Sequence, residues 1–131
     1  MSRREIREQI FKILFRAEFY TQEELEDQIR LSAQELEDAD AEDAAYIIEK
    51  TQDICAHLEE IDGQINAGAE KWKTGRMAKA ELAIIRLAVY EMKYEEEIPV
   101  SVAINEAVEL AKTYGSDRGA SFVNGVLARL V

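Results

Sequence analysis

The stretch AKAELAIIRLAVYEMKY, residues Ala78 to Tyr94, decides the fold. Leu82, Ile85, Val89 and Met92 recur at three- and four-residue spacing, which aligns them on one face of a helix. Most of the remaining circumference is apolar as well, so the pattern predicts a central helix enclosed by others. Beyond it, Pro99 is the single proline of the chain and marks a boundary. A helix then runs from about Ser101 to Tyr114, with Ile104, Val108 and Ala111 inward, and Gly115 is its stop signal. A last helix runs from about Asp117 through Phe122, Val126 and Leu130.

Towards the other end, Lys71 to Gly75 reads as a connector, with Trp72 anchoring it to the core. Before it, Ile47, Thr51, Ile54, Leu58, Ile61 and Ile65 alternate spacings of four and three, a heptad-like seam on a helix beginning near Asp40. Gly63 and Gly68 predict a break or bend in its later part. The stretch from Leu36 to Glu42 breaks the period and reads as a loop. Thr21 followed by Glu24 is a capping-box pattern that opens a helix through Leu25, Ile29, Ala33 and Leu36. In the first helix Ile6, Ile10, Ile13, Leu14 and Ala17 form the apolar stripe, widened by Phe11 and Phe15. The expectation is a compact all-α bundle of seven helical segments, forming a single domain over residues 1–131.

Composition agrees with that class. At 131 residues and 47% hydrophobic, the chain can bury a sizeable core, which excludes wholesale disorder. No apolar run approaches the ~18 residues of a membrane span, and no signal peptide opens the sequence. The one cysteine, Cys55, excludes an internal disulfide and fits a reducing, cytoplasmic setting. The formal net charge of −11 argues at first against nucleic acid. Its distribution removes the objection. Between Glu18 and Asp62 there are 16 acidic residues and two basic ones, whereas the rest of the chain holds 14 basic and 11 acidic, a balance of +3. Basic residues cluster at Arg3, Arg4, Arg7, Lys12 and Arg16, and again at Lys71, Lys73, Arg76 and Lys79. Such patches can hold an anion on an acidic protein, because charges beyond ~8 Å are screened at physiological salt.

Catalytic chemistry finds little support. Cys55 and the only histidine, His57, are two apart on a helix, so their side chains diverge and cannot form a nucleophile–base pair. One Cys and one His cannot make a structural zinc site, and no glycine-rich phosphate loop occurs. The expectation is no enzyme, no metal and no cofactor. Binding signals are stronger. The arginines at the start of the first helix lie beside free backbone N–H groups of a helix N-terminus. Trp72, Tyr114 and Phe122 could offer aromatic faces to unstacked bases.

The blocks INEAVELAK (Ile104–Lys112), Tyr114-Gly115 and FVNGVL (Phe122–Leu127), following ELAIIRLAVYE (Glu81–Glu91), resemble the NusB family of bacterial transcription antitermination factors. The segments WKTGR (Trp72–Arg76) and RREIRE (Arg3–Glu8) fit it too. The resemblance implies two packed helical bundles within one domain. It also implies binding to the single-stranded boxA element of nascent ribosomal RNA together with NusE, a small-subunit ribosomal protein, in the antitermination complex of RNA polymerase. Carried over by residue, it implies RNA contacts at Arg3, Arg4 and Arg7 and at Arg118 and Phe122, with Glu81 facing NusE. Lys73, Arg76 and Lys79 join the phosphate contacts on charge grounds. Glu5 interrupts a run that is more continuously basic in the family, so RNA affinity is expected to depend on NusE. Asn105, Asn124 and Gly125 are read as structural, with Gly125 permitting close helix approach. A protein-interaction module and the RNA-binding accessory domain of a ribosomal RNA methyltransferase are the alternatives. Monomer and homodimer both remain open.

Overall fold

The computed structural model describes residues 1–36, 39–69 and 73–131. Among them are seven α-helices and no strand: α1 (Arg3–Ala17), α2 (Gln22–Gln34), α3 (Ala41–Ala56), α4 (Leu58–Gly68), α5 (Lys79–Tyr94), α6 (Val100–Tyr114) and α7 (Gly119–Ala128). A single 3-10 turn covers Thr74–Arg76. The helices form two compact units, Met1–Ala56 and His57–Val131.

In the first unit α1 and α2 both pack on α3. The stripe expected on α1 is the buried one, with Ile10, Phe11, Ile13 and Leu14 inside. Thr21 caps α2, its Oγ1 accepting the Glu24 N–H at 3.3 Å. Asp40 does the same for α3, its Oδ1 accepting the Asp43 N–H at 2.8 Å. Each cap satisfies a backbone donor that the helix itself cannot, so the acidic composition of this unit partly serves helix starts.

In the second unit α5 packs on α4, α6 and α7. Leu82, Ala83, Ile84, Ile85, Leu87, Ala88, Val89 and Tyr90 are all buried, as a central helix requires. No side chain caps its start at Ala78. Its stability comes from burial instead, at about 1.5–3 kcal/mol for each large side chain removed from water. The Arg86 guanidinium fastens α5 to α4 with a two-pronged contact to Asp62, Nε to Oδ1 at 2.9 Å and Nη2 to Oδ2 at 2.7 Å. Pro99 is the N-cap of α6, its carbonyl accepting the Val102 and Ala103 N–H groups. Having no N–H of its own, it leaves no orphan donor there.

Two sequence expectations change. The seam of Ile47, Thr51, Ile54, Ile61 and Ile65 is fully buried, but its helix is interrupted at His57 and not at a glycine. Gly63 sits inside α4 with nothing near its Cβ position. Glycine weakens a helix by about 1 kcal/mol without ending it. At the interruption the His57 ring packs on Tyr94, centroids 4.7 Å apart. Gly68 is the last residue of α4 and lies under Leu130, a Cβ there coming within 2.5 Å of the Leu130 side chain. Gly125 is the second change: it is exposed, with open space around it, so it serves no close helix approach. Asn105 and Asn124 are exposed as well. The roles given to Trp72 and Lys71 lie outside the described residues.

Candidate nucleic-acid interface

Arg3, Arg4 and Arg7 lie on the first two turns of α1. Spacings of three and four place them on one side of the helix, Arg3 and Arg4 exposed and Arg7 half-buried. Glu5, which interrupts them, has a local task. Ser2 Oγ accepts the Glu5 N–H at 3.1 Å, and Glu5 Oε1 accepts the Ser2 N–H at 3.3 Å, a complete capping box. Hydrogen bonds from Ser2, the side chain's first, hold the Glu5 carboxyl below its ordinary range. From sequence, this helix end is expected to offer free N–H groups to an anion. Instead one of those donors is used and a carboxylate occupies the end, so anion binding falls to the arginine side chains. The Met1 amine binds Asp43 Oδ2 at 3.0 Å and is raised in pKa by that contact, which fixes the residue preceding the arginine segment to α3.

The second cluster is built differently. Asn66, near the end of α4, accepts the Thr74 N–H on Oδ1 at 2.8 Å and donates from Nδ2 to Thr74 Oγ1 at 3.2 Å. Lys73 Nζ donates to the Asn66 carbonyl at 2.7 Å and to that of Ala69 at 3.4 Å. A lysine at the C-terminal end of a helix satisfies orphan carbonyls and meets the negative end of the helix dipole. Lys73 is exposed like Arg76 and Lys79 a few residues on, but its ammonium is held by these two carbonyls. Asn66 was missed from the sequence. An asparagine two residues before a glycine at a helix end was the signal available, and it is a weak one.

The third group follows α6. Arg118 is the exposed N-cap residue of α7, and its carbonyl accepts the Phe122 N–H at 3.0 Å, so the two lie one turn apart. Phe122 and Tyr114 are half-buried. Glu81, expected to face NusE, makes its contacts within this chain. It is 5% exposed, and its Oε1 accepts the Ser116 hydroxyl at 2.9 Å and the Ser116 N–H at 3.4 Å. Among the described residues no group of three or more His, Cys, Asp or Glu could hold a metal ion, and no helix is long and apolar enough to cross a membrane.

A family model described as the NusB family matches residues 4–131. The chain belongs to the NusB family. It is 54% identical over 129 residues to a transcription antitermination protein NusB from Agathobacter rectalis, spanning 98% of each chain. Among solved structures, NusB of T. maritima matches with a TM-score of 0.89 and 35% identity, over 99% of this chain and 90% of that one. The fold is also that of a NusB crystallised with NusE and double-stranded RNA, at a TM-score of 0.83 and 22% identity over 98% of this chain and 94% of that one. Membership in the NusB family thus covers both units, including the arginine segment from Arg4 onward.

Proposed function

We propose that this NusB-family chain, acting as a single domain over residues 1–131, is a non-catalytic, cytoplasmic antitermination factor. It binds the single-stranded boxA element of nascent ribosomal RNA together with NusE, within the antitermination complex of RNA polymerase. The observation that carries this reading is the family match over residues 4–131, with 54% identity to a protein named for transcription antitermination. The chemistry of the surface supports it. Arg3, Arg4 and Arg7 offer guanidinium forks to phosphates from the first unit, and Arg76, Lys79 and Arg118 offer cations from the second. Lys73 contributes less, because its ammonium already serves two carbonyls. Phe122 lies one turn from Arg118, where a base could rest against it. Glu81, the residue assigned to NusE, also holds the turn that leads to Arg118.

Titration with a short boxA-type RNA at several salt concentrations, with and without NusE, tests the proposal. With three to five phosphates neutralised, the slope of log K against log salt is expected at about −2 to −4. Affinity should exceed that for scrambled RNA when NusE is present. Equal binding of both RNAs in both conditions would sink it.

A further inference from the structure

Glu81 stands in the first turn of α5, a place where an acidic residue commonly faces water beside the positive end of the helix. Here it is buried, and its Oε1 reaches the segment between α6 and α7. That segment has no apolar anchor of its own: Ser116, Asp117 and Arg118 are all exposed. Two backbone bonds shape it, Gly115 N–H to the Ala111 carbonyl at 2.9 Å and Gly119 N–H to the Ser116 carbonyl at 2.8 Å. The Glu81–Ser116 contact ties this small loop to the central helix. The fit is close, since a Cβ on Gly119 would stand 3.2 Å from Glu81 Oε1.

We infer that Glu81 is a positioning residue for RNA, holding the Gly115–Gly119 turn so that Arg118 and Phe122 meet the strand together. The inference rests on the RNA-binding reading above. Arg118 sits two residues beyond the Ser116 anchor, and its carbonyl starts the turn of helix that carries Phe122. Any movement of the loop therefore shifts cation and ring as a pair. A hydrogen bond to a carboxylate removed from water is stronger than one between exposed neutral groups, so a single contact can set the loop.

The test is a mutant cycle read by titration of boxA-type RNA in the presence of NusE, at several salt concentrations. Arg118→Ala should weaken binding about tenfold and make the salt slope shallower by about 0.7, the share of one phosphate on a single strand. Glu81→Ala should reproduce both changes although it removes no cation, and the double variant should be no weaker than either single one. Glu81→Gln keeps an oxygen that can accept from Ser116 and should restore affinity to within about threefold. Ser116→Ala removes the hydroxyl, the shorter of the two donors, from an exposed position, and together with Arg118→Ala it supplies the same cycle should Glu81→Ala fail to fold. Additive losses in the cycle, or an unchanged salt slope in folded Glu81→Ala, would overturn the inference while leaving RNA binding intact. A wild-type chain with no preference for boxA-type RNA would instead remove the underlying reading, and this inference with it.

Discussion

The arginine segment of α1 and the connector around Lys73 carry comparable positive charge, yet their charges have different obligations. On α1, the capping is done by Ser2 and Glu5, so the arginines have no part in ending the helix. In the connector, a cation does the capping itself: Lys73 closes α4, and Asn66 holds the chain that follows. A basic cluster in a sequence therefore states how much charge is present, not how much is available. Availability depends on which backbone groups lack partners nearby.

Charge reversal breaks this comparison most directly. Replacing Arg3, Arg4 and Arg7 together by Glu should weaken boxA-type RNA binding by about 100-fold or more and lower the salt slope by about 2, read by titration. Circular dichroism should show the helical content kept, because the cap residues are untouched. The next effect is on stability. Asn66→Ala removes two partly buried hydrogen bonds of the connector and should cost about 2 kcal/mol in denaturant unfolding. Ser2→Ala should cost about 1 kcal/mol through loss of the α1 cap. Its signature is in the pH dependence. The folded pKa of Glu5 is depressed, so the contribution is present above the ordinary glutamate value and is lost as pH falls below about 4. The difference between wild type and Ser2→Ala should therefore shrink in acid, measured as unfolding midpoints across pH. Smallest of all, Lys73→Ala should change RNA affinity by less than about threefold at fixed salt. A loss as large as that from an α1 arginine would mean the two clusters are equivalent after all.

Much of this arrangement was legible beforehand. Periodicity located α5, because a helix apolar on most sides has nowhere to go but the centre. A cap locates the start of α2, because Thr21 acts through a backbone atom three residues away, and the apolar seam places the start of α3 near Asp40. What escaped depends on contacts remote in sequence. At the interruption His57 meets Tyr94, 37 positions on, whereas the glycines of the sequence point to Gly63 and Gly68. The inward turn of Glu81 depends on Ser116, and a carboxylate in the first turn of a helix gives no local sign of which way it faces. The arginines themselves were readable, but the duty of Glu5 was obscured, since a charge pattern records an interruption without its purpose.

The space between Glu81 and Gly119 has an evolutionary consequence. A Cβ at position 119 would stand 3.2 Å from the carboxylate oxygen, so even an alanine there presses Glu81 by a few tenths of an ångström and couples the two positions. Shortening residue 81 relieves that pressure, but it forfeits the anchor for Ser116. Lineages that keep glutamate at the first position should therefore retain glycine at the second, and those that lose one should show a compensating change at the other.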